Sequence, residues 1–533
     1  MSRSIGCYLV ELLAANDIDT VFGIPGVHNL ELYRGLAASG VRHVLVRHEQ
    51  GAGFAADGYA RLSGRAAAAF TISGPGVTNI LTAVAQAYSD SVPLLVVAST
   101  PVRASLGKQW GVLHELHDQR ALAQGVFGMA RSATSAEDVR DHLRVCLASL
   151  RTGRPRPAYL EIPLDVLAER TSLPCARFAD TSPPPQAPAE QIDAAVRLLR
   201  VAERPIVIAG GGARHAAAAL HRLIDALDCP LVTTAAGKGV LADSHPANLG
   251  TSLPYRAVQT LIADADVVLA VGTELAETDV YTSLRLSLSG LLIRIDVDPA
   301  KLADHYGADV PVWGDARTSL ESIQAHLSPR TGWKTQSGGA AAFRAQIDGS
   351  FDAGARLQLA ALGAIRAALP RDGVVFSDMT QIAYFGNYAF PVDGPGQWFH
   401  PSGYGTLGFA MPAALGAKIS SPARAVLALA GDFGLQFSLN ELMTAVDEHI
   451  SLPIVVWNNS ALGQIRDDMQ AGGIPLTGVI ARNPDFVALA KSCGASGLRA
   501  RNDHALTQAI REALTAPGPT LIEIAAADFS ATA

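Results

Sequence analysis

The sequence predicts an α/β protein of three domains built on doubly wound parallel sheets, and three observations carry the prediction. Apolar runs of strand length alternate with stretches of helical pattern along nearly all of the 533 residues. Two breaks interrupt the alternation: residues 180–190 read DTSPPPQAPAE and residues 328–339 read SPRTGWKTQSGG. Several apolar runs end in glycine or a polar side chain, and the carboxyl ends of strands are where an open parallel sheet binds its ligands. The breaks delimit an N-terminal domain at 1–180, a central domain at 190–330 and a C-terminal domain at 350–533.

Composition narrows the class. Hydrophobic residues make up 49% and charged residues 17%, which favours large buried cores over disorder. A net charge of −7 leaves no basic footprint for nucleic acid or for an anionic membrane surface. No apolar run of about eighteen residues is present, so no membrane span is expected. Residues 1–19, MSRSIGCYLVELLAANDID, read as an amphipathic helix too short and too charged for a signal peptide. The five cysteines (Cys7, Cys146, Cys175, Cys229, Cys493) contain no CxxC pair and imply neither a disulfide framework nor a zinc site. A cytoplasmic enzyme is the expectation.

In the N-terminal domain, residues 21–26 (VFGIPG) form a strand and a turn at Pro25-Gly26. Residues 44–49 (VLVRHE) form a strand ending at His48-Glu49, followed by a helix over 50–62. Residues 70–79 (FTISGPGVTN) form a strand, a glycine-rich turn and a helix start. These exits share one rim of a sheet, and Glu49 is the carboxylate placed at a strand end among them. In the central domain, 205–212 (PIVIAGGG) is a strand entering a glycine-rich turn. It reads as a dinucleotide cradle or as a tight turn with close helix packing, and the missing GxGxxG spacing favours the turn. In the C-terminal domain, 377–381 (SDMTQ) ends a strand and 403–408 (GYGTLG) is a glycine-rich loop. The run 425–430 leads into Gly431-Asp432-Phe433-Gly434, a helix follows over 438–449, and the run 452–457 leads into Asn458-Asn459. This strand–helix–strand unit brings a carboxylate and a carboxamide to one edge. Their oxygens suit Mg²⁺, which takes about six oxygen ligands, usually only one or two of them carboxylates. Gly431 and Gly434 let backbone amides approach a diphosphate near a helix start.

The GD…NN pattern resembles the cofactor motif of thiamine-diphosphate (ThDP) enzymes. VFGIPG, the RHEQGAGFAADGYAR stretch and SGPGVTN resemble their pyrimidine-binding domain. The resemblance spans nearly the whole chain and is strongest to the group containing acetolactate synthase, pyruvate oxidase and benzoylformate decarboxylase. It implies that Asp432, the Asn459 side chain and the backbone oxygen of Ala461 hold Mg²⁺. It also implies that Glu49 hydrogen-bonds the aminopyrimidine ring. Pro25, Gly26, Thr380, Gln381, Gly431, Phe433 and Gly434 would line the cofactor, with Phe433 replacing the third glycine of the motif. Gly405 would accept from the 4′-amino group through its carbonyl, and Leu407 would support the bent cofactor. The resemblance further implies active sites at subunit interfaces of a homodimer or homotetramer. FAD is not expected, because VGTELAETD at 271–279 stands where FAD-binding relatives carry an arginine- and aspartate-rich turn.

After Asn459 the chain reads SALGQIRDDM, where relatives begin a helix lining the substrate pocket. Gln464 and Asp468 share a helix face, and Asp468, with Asp467, would offer a carboxylate to a cationic substrate. The alternative is a solvated acidic pair countered by Arg466. FGIPGVHNLELYRGL, LHELHDQ and NNSALGQIRDDM together resemble bacterial decarboxylases of 5-guanidino-2-oxopentanoate (2-ketoarginine). On that resemblance Val27, His28, Gln464, Ile465 and Asp468 face the substrate, and His114 moves a proton near neutral pH, with His117 in the same loop. The implied reaction turns a 2-oxo acid into an aldehyde and CO2 in arginine breakdown. Carboligation of pyruvate in the manner of acetolactate synthase, and a catalytically silent binding subunit, are the alternatives.

Overall fold

The computed structural model describes residues 2–179, 183–281, 285–331, 333 and 339–531. Residues 180–182 of the first expected linker, and 332 and 334–338 of the second, lie outside the described residues.

Each of the three segments folds around its own parallel sheet. The first has six strands in the spatial order Arg42–Leu45, Thr20–Gly23, Ala67–Thr71, Leu94–Thr100, Ala158–Pro163 and Met129–Ser132. The third also has six: Trp398–Phe399, Val374–Ser377, Val426–Gly431, Pro453–Asn458, Thr520–Ala525 and Ser496–Arg499. Counted within each domain both orders are 2-1-3-4-6-5, so two sequences without visible identity fold to one topology. The central sheet has five parallel strands in the order 2-1-3-4-5, from Leu231–Thr233 through Pro205–Ala209 to Val310–Trp313. Strands such as Leu94–Thr100 are buried along their whole length, as expected of parallel sheets covered by helices on both faces.

The helix Glu49–Ser63 lies against Ala410–Ser420 of the third domain with their backbones almost touching. A Cβ on Gly58 would stand 1.9 Å from the Ala413 carbonyl oxygen, and one on Gly416 would stand 1.8 Å from that of Ala55. Phe54 meets Phe409 edge-on at 5.5 Å, in one apolar core shared by the first and third domains. Arg61 is bracketed by Asp57 at 2.5 Å and Asp90 at 2.7 Å and lies over the Phe409 ring. The central domain is held to the third where Val392 N donates to Asp243 at 2.9 Å.

The N-terminal helix, Ile5–Ala15, is amphipathic: Tyr8, Leu9, Leu12 and Leu13 are buried, while Cys7, Glu11, Ala14 and Ala15 form one stripe that is partly or fully exposed. One expectation changes: the helix expected over 438–449 is the shorter Glu441–Asp447, and a separate short helix, Asp432–Phe437, begins directly at the strand end. In the central domain, Gly210 and Gly212 press against the backbone of Gly272 and Thr273, where a Cβ would collide at 2.4 and 2.8 Å. That is the tight-turn role of the glycine run.

Candidate active site

The N-terminal rim gathers the first group of candidates. Glu49 is the first residue of its helix, at the exit of Arg42–Leu45. It is buried, and Asn79 Nδ2 donates to its Oε2 at 2.9 Å. Among the described residues no other side chain hydrogen-bonds this carboxylate, which leaves Oε1 for a ligand. Gly76 keeps the space beside Oε1 open, since a Cβ there would stand 3.5 Å away. The turn before Glu49 is fixed from the third domain: Glu441 accepts from Arg47 N at 3.1 Å and His48 N at 2.9 Å. Burial pushes the Glu441 carboxyl up, against hydrogen bonds from Thr444 and these amides.

Asn29 shapes the Pro25-Gly26 turn, accepting from Gly26 N at 2.8 Å and donating to the Ile24 carbonyl at 3.0 Å. Pro25 and Val27 face solvent, whereas His28 turns inward. There its Nδ1 bonds Ser73 Oγ, and its ring meets that of His114 edge-on at 4.8 Å. His114 has φ +62°, and its carbonyl presses on Gly74, where a Cβ would stand 2.5 Å away. His117 lies apart, exposed and bonded to Gln109.

The second group sits on the C-terminal rim. Strands Val426–Gly431 and Pro453–Asn458 pair with Gly431 opposite Trp457, so Asp432 and the Asn458-Asn459 turn emerge side by side. Asp432 is 2% exposed and accepts from Asn483 Nδ2 at 2.6 Å. Burial raises its carboxyl, and hydrogen bonds from Asn483 and the backbone amides of Phe433 and Ser460 pull it back. Among the described residues no cationic side chain pairs with it. Such a buried carboxylate is stabilised by a bound cation, and the oxygen-rich neighbourhood suits a hard one. Asn459 Oδ1 accepts from Ala461 N at 3.1 Å, and its amide donates to Gln381 Oε1 at 3.4 Å. Ser460 between them takes φ +52°, which folds the turn back on itself.

The residues expected on the diphosphate surround the same edge. Thr380 Oγ1 lies 2.8 Å from where a Cβ on Gly431 would stand, so this glycine is needed for the approach. Phe433 is half-buried, and Gly434 faces Asp378. The loop 403–408 is pinned at three points. Gly408 N donates to Asp378 at 3.0 Å, Thr406 Oγ1 donates to Gln86 at 2.9 Å, and Gly403 N donates to Asp90 at 2.8 Å. Gly405 and Gly408 take φ +73° and +84°, which glycine adopts without strain, and Leu407 is half-buried between them. Burial pushes the Asp378 carboxyl up to about 6.

The helix Gly463–Ala471 carries the substrate candidates and separates the two acids. Asp467 turns to Arg466 at 2.8 Å and accepts from Gln381 Nε2 at 2.7 Å. Asp468 is exposed and accepts from Gln464 at 3.0 Å; among the described residues it has no cationic partner. Ile465 is exposed beside them.

The structure thus collects Glu49, Gly26, His28 and His114 on one rim and Thr380, Gln381, Gly405, Gly431, Asp432, Asn459 and Gln464 on another. Among the described residues no hydrogen bond, ion pair or ring contact joins the two sets. Exposed apolar side chains flank both: Val27, Leu30, Trp110 and Leu113 beside the first, and Phe437, Ile465, Ile474 and Ile480 beside the second. Asn29, Ser73, Asn79, Asp378, Glu441 and Asn483 support these groups and were not expected from sequence. Of them Asn29, Ser73, Asn79 and Asp378 lay within motifs already quoted, whereas Glu441 and Asn483 did not.

Two strand-end half-sites, one with a buried carboxylate open at one oxygen and one with a buried carboxylate beside an oxygen-rich, glycine-lined edge, suit a class of enzyme that holds a diphosphate cofactor through a divalent cation. Comparison with known proteins identifies it. The chain matches three family models: "Thiamine pyrophosphate enzyme, N-terminal TPP binding domain" over residues 3–122, the central domain over 192–323, and "C-terminal TPP binding domain" over 378–524. It belongs to the thiamine pyrophosphate enzymes. It is 48% identical over 523 residues to the probable 2-ketoarginine decarboxylase AruI of Pseudomonas aeruginosa, covering 97% of this chain and 93% of that protein. It is 30% identical over 530 residues to the acetolactate synthase isozyme 3 large subunit of Escherichia coli, covering 95% and 91%. It is 28% identical over 539 residues to a probable acetolactate synthase large subunit of Methanocaldococcus jannaschii, covering 97% and 90%.

Proposed function

We propose that this enzyme decarboxylates 5-guanidino-2-oxopentanoate to 4-guanidinobutanal and CO2, in arginine breakdown, with thiamine diphosphate and Mg²⁺ bound at sites shared between two subunits. The carrying observation is the split of the acidic pair. Arg466 is taken by Asp467, so the Asp468 carboxylate remains for a cationic substrate tail. A guanidinium is a planar fork that pairs with a carboxylate through two parallel hydrogen bonds. The similarity to the Pseudomonas protein supports the same substrate.

In this reading Asp432, Asn459 and the Ala461 carbonyl hold the metal. Thr380, Gln381, Gly431, Phe433 and Gly434 line the diphosphate, and Pro25 and Gly26 approach the cofactor from the other rim. Gly405 and Leu407 set its bend. Bound thiamine diphosphate supplies the electron sink for the pair released when the carboxylate leaves. Glu49, oriented by Asn79, holds the proton of the pyrimidine ring nitrogen at its unpartnered oxygen. Val27, His28, Gln464 and Ile465 enclose the substrate, and His114 donates the proton that the new aldehyde carbon needs. The exposed apolar residues beside each half-site support their closure by a second copy of the chain, in a homodimer or homotetramer. The free cysteines support a cytoplasmic location. Domain boundaries at 180–190 and 330–350 belong to the same proposal.

Asp468→Asn tests the substrate assignment. It should lower kcat/KM for the guanidino acid by about 10- to 100-fold, the range of one lost charge-assisted pair. A neutral 2-oxo acid of similar length should change by no more than about twofold. Equal losses on both substrates would remove Asp468 from recognition.

A further inference from the structure

Behind His114 lies a buried pair, His28 and Ser73, whose protons have no part in the chemistry proposed above. His28 is 7% exposed, and Ser73, whose Oγ bonds His28 Nδ1, is completely buried. Ser73 is held in turn: its backbone N donates to Ser99 Oγ at 3.2 Å. The neighbouring Gly74 N donates to Gln119 Oε1 at 2.9 Å, and Gln119 Nε2 donates to the Ser99 carbonyl at 2.9 Å. The turn carrying Ser73 is therefore fixed from below, while His114 stands half-buried on the open side.

The direction of the Ser73–His28 bond follows from accounting for protons. Ser73 Oγ has no other hydrogen-bond partner among the described residues, and Ser73 is 0% exposed. If Ser73 donates to Nδ1, its hydroxyl proton is satisfied. If His28 donates instead, a buried hydroxyl proton is left unpaired, which costs about 1–3 kcal/mol. The first arrangement puts the His28 proton on Nε2 and leaves the imidazole neutral. Burial, and then the neighbouring His114, hold His28 below the usual histidine value. His114 is the one titratable group that bears on His28 among the described residues.

We propose that Ser73 is a positioning residue that locks His28 as the neutral Nε2–H tautomer, so that His114 alone of the two rings carries the exchangeable proton used in catalysis. This rests on the decarboxylase reading above. The bond between the carbonyl carbon and the carboxylate breaks, and CO2 leaves without its bonding pair. That pair takes a proton from His114, and His114 regains one from solvent across its half-buried edge. One solvent proton is consumed per turnover, and no oxidant or reductant is required. The strained backbone of His114, pressed on Gly74, keeps its ring against His28 and facing the open rim.

The test separates steps before and after CO2 loss. Ferricyanide added as an electron acceptor intercepts the substrate carbon before protonation, so CO2 release in its presence reports the earlier steps only. Ser73→Ala should keep ferricyanide-coupled CO2 release within about twofold. It should slow aldehyde formation about tenfold, part of the ~10²–10⁴ that a placed acid supplies. The pH limb of kcat for aldehyde formation should move, and Ser73→Thr, which keeps the hydroxyl, should restore rate and profile. Equal loss in both readouts, or an unmoved pH limb, would overturn the proposal. The ¹⁵N shifts of His28 in the wild-type holoenzyme supply a readout independent of turnover. The Nε2–H pattern is expected, and an Nδ1–H or doubly protonated ring at pH 7 would overturn the assignment of Ser73. Should the wild type release no CO2 from any 2-oxo acid, the decarboxylase reading falls, while the NMR result still decides whether Ser73 sets the tautomer.

Discussion

Two lesions placed in different copies of the chain test the division of the active site. Glu49→Gln removes the carboxylate of one rim, and Asp432→Asn removes the carboxylate proposed to hold the metal on the other. Each homo-oligomer should lose activity by about 100-fold or more, the usual cost of a missing acid–base group or metal ligand. Within one chain no hydrogen bond or ion pair among the described residues joins Glu49 to Asp432 or to the other candidates of the C-terminal rim, and apolar side chains lie open beside both sets. If each site takes one rim from each subunit, a mixed dimer contains one site with both lesions and one with neither. Its activity should then be about half that of the wild-type dimer. The assay is co-expression of the two variants with different affinity tags, tandem purification of the mixed species, and CO2 release per dimer. A site completed within one chain would give no recovery, because every chain carries a lesion. Mixed dimers as inactive as the parents would refute the two-subunit site.

Three further outcomes follow from packing and electrostatics. Gly416→Ala pushes a Cβ to 1.8 Å from the Ala55 carbonyl oxygen, so the helices must part. A loss of about 1–3 kcal/mol and a lower Tm are expected, and an unchanged melting curve would contradict the close crossing. Asn483→Leu removes the donor to Asp432 and should weaken Mg²⁺ about 10- to 100-fold in a titration of metal-dependent ThDP binding, while unchanged affinity would sink that role. Burial, with Arg61 adding to it, pushes His400 down to about 3 from its usual 6.5. Its folded value lies below its unfolded one, so its contribution is full above pH 6.5 and fades as the pH falls toward 3. The loss, on the order of 4 kcal/mol at the acid end, should steepen acid unfolding. His400→Gln should flatten that limb.

What the sequence disclosed and what it concealed have a common physical cause. Strands announce themselves because a parallel sheet buries both faces. The run before Gly431 therefore reads as unbroken apolar residues, and the polar exit after it is conspicuous. Asp432, Asn459 and Glu49 were legible because each terminates such a run or follows its end. Asn483 was not, since it reaches Asp432 from 51 residues along the chain through a loop with no periodicity. Glu441 and Gln86 act across a domain boundary, on Arg47 and His48 and on Thr406. Nothing local marks either as more than a polar helix residue. The backbone contact of Gly58 with Ala413 depends on small residues in two distant helices, and small residues alone do not specify a partner. The separation of Asp467 from Asp468 needed coordinates too, because neighbouring helix positions point about 100° apart and only packing decides which meets Gln381.

CO2 release by the purified protein, supplied with thiamine diphosphate and Mg²⁺, and offered 5-guanidino-2-oxopentanoate and pyruvate side by side, tests the central claim most directly. Preference for the guanidino acid, with an aldehyde as product, is the predicted result. Preference for pyruvate, with acetolactate as product, would contradict it and leave Asp468 as a surface charge.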